Sequence, residues 1–436
     1  MGIGLAGFWA MAFGVRAEEA PAKPVFTVRE CIDLGLRQAA AARNAARDEQ
    51  IAGTRIGQVR AQVLPQLKAT GGYTRLDEVA AFEFDGERYE MGREDNYSAG
   101  VEASQLLYSG GSVRSALKAA KLYREVAQAR VRQAKNELVR DIRMGFNDIL
   151  LEDEQVKVQE ASLRQLEDLL AQAESRLRQE TVSEFDVLQA RVKVANARPV
   201  LIHARKQAEL ARARFRTLVQ LEAADFDLAG ELKFEPSERS LEEWQALGLE
   251  QRPELIEQRR FLGMWEADIR AEQGGYLPQL RAFANYKGAN PESGSARESW
   301  EWGWTAGVTA EWDLFDGALR RNRIREKSLE LAKARETLAD SERQVELEIR
   351  SHVLDLRQAE ETVAASRDAV ELAEKSLEIA KTRYENGLAT YLDFTDANLA
   401  LSLARLTRLQ ALHDHMNALA RLRQASGEDF ETGEAP

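Results

Sequence analysis

The sequence predicts an α+β chain made of two copies of one unit, in which very long coiled-coil helices are joined to strands of a membrane-type β-barrel wall. Three observations predict it. First, Gly317 to Asn386 contains no proline, has glycine only at its first position, and is dominated by the strong helix formers Ala, Leu, Glu, Lys and Arg. As one helix it would be roughly 100 Å long at 1.5 Å per residue. Second, Ile349, Leu356, Val363, Val370, Leu377 and Tyr384 recur at every seventh position, a seam that asks for partner helices. The seam is written again, at a constant offset, as Ile142, Ile149, Val156, Leu163, Leu170 and Leu177. Third, in each copy the stretch ahead of the long helix changes its period from helical to two.

Bulk composition narrows the class. Hydrophobic residues make up 44% and charged residues 30% of 436, ordinary for a folded, water-exposed protein and too polar for a helical membrane protein. No internal window offers about 18 consecutive apolar residues, so no mature transmembrane helix is expected. A net charge of −12 argues against nucleic acid as a partner. Ile3 to Val15 is a short apolar run followed by Arg16-Ala17, the form of a signal-peptide core, so residues 1–17 are expected to be removed on export. Cys31 is the only cysteine; it follows no lipoprotein-type tripeptide and has no partner within the chain for a disulfide.

In chain order, the first copy spans residues 26–220 and the second 240–427, joined by a linker over 221–239 and followed by a disordered tail over 428–436. A helix from Phe26 to about Val63 opens at Thr27 with Glu30 three residues on, a capping box; its counterpart opens at Ser240 with Glu243. Both end in the same tetrapeptide, Leu64-Pro65-Gln66-Leu67 and Leu277-Pro278-Gln279-Leu280, where proline stops a helix and biases the residue before it to extended backbone. Glycine turns at Gly110-Gly111 and Gly317 launch the long helices, which reverse near Gln179 and Asn386. Gly387 suits the position just past a helix end, and the first turn lacks that glycine. Ser183 and Thr390 cap the returning helices, which run to about Leu218 and Gln424.

The strand signal is clearest in the second copy. Trp300, Trp302, Trp304, Ala306, Val308, Ala310, Trp312 and Leu314 alternate with Glu301, Gly303, Thr305, Gly307, Thr309, Glu311 and Asp313. In the first copy Tyr97, Ala99, Val101 and Ala103 alternate with polar or small residues, and the preceding strands carry Tyr73 and Tyr286. A half-buried soluble sheet alternates in the same way, so a soluble periplasmic coiled-coil scaffold competes with a barrel. The tryptophans near both ends match the aromatic girdles of a membrane barrel. Four strands per chain cannot close a barrel, and open edges are not tolerated in lipid, so the barrel needs several chains. The polar loops over Asp77 to Asn96 and Gly288 to Ser299 are of the long extracellular kind.

With the duplicated Leu-Pro-Gln-Leu, the glycine turns from strand to helix, and the tip pattern Arg383-Tyr384-Glu385-Asn386-Gly387 through Leu392-Asp393 and Asp396, the chain resembles the TolC family of outer-membrane efflux and secretion channels from about Phe26 to Gly427. The resemblance implies a homotrimer in which each chain gives four strands to a twelve-stranded barrel in the outer membrane of a Gram-negative-type cell. The long helices would continue it as a periplasmic α-barrel, closed at its far tip. It also implies a passive exit duct for a tripartite efflux pump or type I secretion system, docked on a periplasmic adaptor (membrane fusion) protein and an inner-membrane pump. No catalysis is implied.

Residue by residue, the family narrows its periplasmic entrance with two carboxylates one helical turn apart, which fall here on Asp393 and Asp396. A trimer would stack them as two acidic rings that favour cations, and the crowding would raise some of their pKa values. From spacing alone the same acids read as ordinary helix-start caps. The family's tip lock falls on Tyr384 and Asp186, expected to share a hydrogen bond, although Tyr384 also continues the heptad seam. A basic residue common two positions after the tip glycine is Ala389 here, and its partner position is Phe185, so that second lock is not ionic. The tip turns that would dock the adaptor include Gly387, Ala389, Thr390, Val182 and Ser183, and the expected aromatic girdle is Trp300, Trp302, Trp304, Trp312 and Tyr97. His413 and His415 lie two apart, on different faces of a helix, so neither a metal site nor a cofactor is expected. There is no catalytic triad, Walker loop or dinucleotide fingerprint.

Overall fold

Two helices of 67 residues each, α3 (Ser112–Arg178) and α7 (Leu319–Glu385), run the length of the molecule and organise every other element. The computed structural model describes residues 23–79, 81–90, 93–223, 225–290 and 300–428. Each long helix folds back through a shorter one, α4 (Glu184–Val219) and α8 (Tyr391–Ala425). Helix α8 packs on α3 as well as on α7, so the order across the lower half is α4, α3, α8, α7. In the upper half α2 (Ala40–Ala61) and α6 (Pro253–Gly274) take the corresponding places, giving the order α2, α3, α6, α7. The heptad seams are where the helices bury: Ile142, Ile149 and Ile349 are fully inaccessible, and Leu356, Val363, Val370 and Tyr384 nearly so.

The helix expected over Phe26 to Val63 is two helices. α1 (Val28–Gln38) ends at Ala39, whose ψ of 134° is extended, and α2 begins at once. The second copy breaks identically at Arg252, between α5 (Leu241–Gln251) and α6. The break turns α1 and α5 across the long helices instead of along them. Glycine permits the close crossing: a Cβ on Gly35 would collide with the Ile142 side chain, and one on Gly248 with Ile349. Cys31 and its counterpart Trp244 lie one helical turn away in the same two cores. Both capping boxes form, Thr27 with Glu30 and Ser240 with Glu243.

The strands form one antiparallel sheet in the order β2 (Gln66–Arg75), β5 (Asp95–Tyr108), β7 (Gln279–Ala289), β8 (Glu301–Glu311). The two copies join through β5 and β7, and β2 and β8 are left as open edges. Register puts like with like. Ala69 faces Val101, Val101 faces Tyr286, and Tyr286 faces Trp304; one step along, Lys68 faces Glu102 and Gly100 faces Lys287. Residues directly opposite in an antiparallel pair share a face, so one face is apolar across all four strands and the other polar. On the polar face Lys287 lies 3.7 Å from Glu102.

Smaller elements complete the chain. A parallel pair, β1 (Val25–Thr27) with β6 (Asp227–Ala229), ties the linker back to the start of the first copy. The loop expected over Asp77 to Asn96 contains a hairpin, β3 (Ala81–Phe84) with β4 (Glu87–Glu90). The signal-peptide residues 1–17, residues 291–299 of the second loop, and residues 429–436 of the tail lie outside the described residues. Glu428, expected to open the disordered tail, is held by Arg239 at 2.8 Å.

The duplicated close crossing gives a test. Gly35→Ala and Gly248→Ala each overpack a fully buried isoleucine and are expected to cost about 1–3 kcal/mol. Gly53→Ala, where an added Cβ meets nothing within 4 Å, is expected to be neutral or stabilising. Denaturant melts of the three variants measure the difference.

Candidate functional site

The end of the molecule farthest from the sheet is built from two helical hairpin turns. In the second copy α7 stops at Glu385, Gly387 takes the left-handed conformation with φ 73°, and Thr390 caps α8. In the first copy Glu180 occupies the place of Gly387 with φ 58°, and Ser183 caps α4. A non-glycine residue in that region carries strain of about 1 kcal/mol or more. The first tip turn therefore reaches the same geometry at higher cost, which accounts for its missing glycine without a change of shape.

Both turns are locked by the same capping box. The Asp393 carboxylate accepts from the Thr390 N–H and hydroxyl, each at 2.8 Å, and Asp186 accepts from the Ser183 N–H at 3.1 Å and hydroxyl at 2.8 Å. The Thr390 N–H, and then its hydroxyl, hold the Asp393 carboxyl below the usual range. Within one chain this acts against the rise expected from crowding in a ring. Asp396 lies one turn further on, and both acids are exposed on one side of α8, while Tyr391, Phe394, Thr395 and Asn398 are buried on the other. Spacing alone reads the acids as helix-start caps, and Asp393 does complete the capping box with Thr390; the gate follows only from the family resemblance.

The expected Tyr384–Asp186 hydrogen bond is not present within the chain. Asp186 is engaged by Ser183, and among the described residues no hydrogen bond joins it to Tyr384. Tyr384 is instead 6% exposed, stacked on Phe394 at 5.8 Å and edge-on to Tyr391 at 6.4 Å. The Arg176 guanidinium sits 4.6 Å from the centre of its ring. Leu169 and Ala190 of the first copy complete this cluster, and Ala389 packs against it. The two copies thus meet at the tip through a cation–π and apolar contact. Arg176 escaped sequence reading because it precedes a seam position in a helix full of arginines. Phe185 is 64% exposed, Val182 is half-buried, and Gly387, Thr390 and Ser183 lie on the surface.

Above the tip the two hairpins differ. In the first, Asp153–Arg212, Glu160–Arg205, Glu167–Arg198 and Glu174–Arg191 pair at 2.6, 2.8, 3.2 and 2.9 Å, one rung every two turns. In the second, Glu374–Arg405 at 2.9 Å is the corresponding rung; the other three places hold Glu360 with Leu419, Arg367 with Leu412, and Lys381 with Asn398. Each exposed rung contributes little alone, but the first hairpin has a network and the second does not.

Between tip and sheet, His413 on α8 bridges to α3. Its Nε2 lies 2.7 Å from Asp148 and its Nδ1 3.1 Å from Asp414. Burial pushes the imidazole pKa down, but the hydrogen bonds and charges of Asp148 and Asp414 outweigh it, leaving a net rise above 6.5. Among the described residues, no cluster of three or more His, Cys, Asp or Glu side chains is arranged to hold a metal ion.

At the other end, aromatic residues gather on the sheet. Trp302 stacks between Tyr286 at 5.2 Å and Trp300 at 5.7 Å, Tyr73 packs on Tyr97 at 5.0 Å, and Trp304 is 79% exposed. Trp312, exposed just past the end of β8 and ten residues on from Trp302, donates its indole N–H to the Tyr276 carbonyl at 3.0 Å. Ten residues of strand tilted by about 40° span roughly 25 Å, the height of a membrane barrel's apolar band.

The family model for outer membrane efflux proteins matches residues 33–219 and 246–428, one match over each copy. The chain belongs to the outer membrane efflux protein family. No curated protein matches it. Among solved structures, the fold is similar to the CmeC outer membrane channel of Campylobacter jejuni (TM-score 0.77, 15% identity, 94% of this chain and 87% of that one). It is also similar to the open state of the MtrE outer membrane channel of Neisseria gonorrhoeae (0.75, 18%, 92% and 88%) and to the outer membrane protein VceC of Vibrio cholerae (0.73, 17%, 92% and 96%). At these identities the likeness is one of fold. As an outer membrane efflux protein, the chain belongs to the outer membrane and extends into the periplasm.

His413 supplies a pH test. Its folded pKa is raised, so its contribution to stability is complete below about pH 6.5 and is lost as pH climbs through the raised value. Between about pH 6 and 9 the wild type is expected to lose more thermal stability than His413→Gln. Melting curves of both proteins across that range measure the difference.

Proposed function

We propose that three copies of this chain close into one continuous duct, through which cargo leaves the periplasm across the outer membrane. The observation that carries the reading is the agreement of open edges in every layer. First-copy elements β2, α2 and α4 form one side of the chain, and second-copy elements β8 and α7 form the other. One rotation that brings β8 against the β2 of a neighbour also brings α7 against its α2 and α4. Repeated, that head-to-tail contact makes a closed ring. Apolar side chains wait on both helical edges: Leu188, Val192 and Ile202 on α4, and Leu347, Leu354 and Leu372 on α7, are all more than half exposed.

In the trimer the exposed Asp393 and Asp396 would form two acidic rings at the tip, attracting cations and repelling anions. The first hairpin, with its four-rung ladder, acts as the fixed wall. The second hairpin, with one rung and the Arg176–Tyr384 contact, is the part that swings to open the entrance. The chain works as a conduit and not as a catalyst. Its tip turns, Val182 and Ser183 in one and Gly387 to Thr390 in the other, receive a periplasmic adaptor protein that links it to an inner-membrane pump, and the pump selects the cargo and supplies the energy.

Single-channel current in a planar lipid bilayer under a KCl gradient tests this. Wild type is expected to give small, discrete, cation-selective steps. The double variant Asp393→Asn with Asp396→Asn is expected to lose most of the cation preference while still assembling as a trimer. A soluble protein that never inserts would favour the periplasmic scaffold, and unchanged selectivity in the variant would remove the two acids from the gate.

A further inference from the structure

Helices α3 and α8 are where the two copies meet inside one chain, and side chains bond across that seam. Asn147 donates its amide N–H to the Asn417 side-chain carbonyl at 2.9 Å, and Arg140 donates to Gln424 at 3.4 Å. The His413 Nε2 lies 2.7 Å from Asp148. In the repeat, α7 stands for α3 and α4 stands for α8. The same constant offset that relates Ile142 to Ile349 also relates the caps Ser183 and Thr390.

Carried across by that offset, each bonded pair becomes a new pair whose members suit each other. Asn147 and Asn417 become Leu354 and Leu210; both change, and both change to leucine. Asp148 and His413 become Asp355 and Lys206, again an acid and a base. Arg140 and Gln424 become Leu347 and Thr217. These six residues lie on the outer helices α4 and α7, and all six are exposed in the single chain. Lys206 has no ion pair among the described residues, and Asp355 lies 3.6 Å from His352. A leucine at one position alone would leave an amide facing it unpaired. The matched change is what a second seam of the same geometry requires.

We propose that the seam inside each chain is repeated between chains, with α7 docked on α4 of a second copy in the register of α3 on α8. Leu354 then packs on Leu210 of the partner subunit, Leu347 packs on Thr217 of the partner subunit, and Asp355 pairs with Lys206 of the partner subunit. The proposal rests on the ring of copies proposed above and adds its register and its selectivity. The seam within the chain is polar at its centre and the seam between chains is apolar. Exchanging them would set Asn147 against Leu210 and Asn417 against Leu354, and each mismatch buries an amide without a partner. The chain therefore closes on itself with one seam and on its neighbour with the other.

The test links cysteines in the full-length protein in detergent with a short bismaleimide, read on a denaturing gel. Leu354→Cys with Leu210→Cys is expected to give covalent ladders of two and three chains. Inside one chain α3 and α8 separate the two positions, so a short reagent joins only neighbours. Leu354→Cys with Val192→Cys, displaced by about 27 Å along α4 at 1.5 Å per residue, is expected to give no ladder. Cys31 is fully buried and burial pushes its thiol up to about 12, so it stays unreactive. In a second measurement, Lys206→Glu is expected to lower the temperature at which the trimer dissociates, and adding Asp355→Lys is expected to restore it. A trimer intact by native mass spectrometry that gives no ladder from the first pair, or an equal ladder from the second, would overturn the register and leave the ring standing, with these faces open to a different protein. Absence of any trimer in the wild type would overturn ring and register together. If the cysteine pair does not assemble, the charge exchange decides, and failure of Asp355→Lys to restore the trimer overturns the register.

Discussion

A strand edge in hydrocarbon leaves backbone N–H and C=O groups with no partner, and each such group costs several kcal/mol. This chain brings four strands to the membrane and leaves β2 and β8 unpaired. Everything else about the molecule is consistent with that debt being settled by neighbours. The apolar face runs across all four strands in register, so the sheet is ready to face lipid on one side and water on the other. The helices repeat the arrangement below it, with first-copy and second-copy elements left open on opposite sides. A fold that was complete as a monomer would have no reason to expose matching edges in both layers.

The duplication explains how so long a structure is held together with so small a core. Among the described residues, buried side chains form a cluster around Ile142 and Phe215, its copy around Ile349 and Leu422, and an aromatic group at the tip. Glycine at 35 and at 248 lets a short helix sit directly on each long one, and the two crossings are alike down to the isoleucine they touch. The copies diverge where mobility and recognition would be expected to differ. Ion-pair rungs staple one hairpin and are mostly absent from the other. The histidines and asparagines that break the repeat pattern lie on α8 and α3, where the two copies meet.

Much of this was legible in the sequence because periodicity is a direct record of which face a residue presents. The heptad seam gave the buried line of the long helices, and alternation around Trp302 to Trp312 gave the faces of β8. The capping boxes at Thr27 and Ser240 and the caps at Ser183 and Thr390 marked helix starts correctly. The break at Ala39 was not legible, since neither proline nor glycine marks it; at Arg252 the following Pro253 was the available signal. The three-residue pair of β1 with β6 is too short to show a period. At the tip, the hydrogen bond expected between Tyr384 and Asp186 is not the contact that joins the copies within the chain. Tyr384 meets an arginine and two aromatic rings, a choice made by three-dimensional packing that no spacing rule encodes.

The central claim is that three chains close both layers at once. Native mass spectrometry of the detergent-released protein tests it most directly. The account predicts a single assembly of three chains that survives until the detergent is stripped. A stable monomer or dimer, with no trimer at any protein concentration, would contradict it.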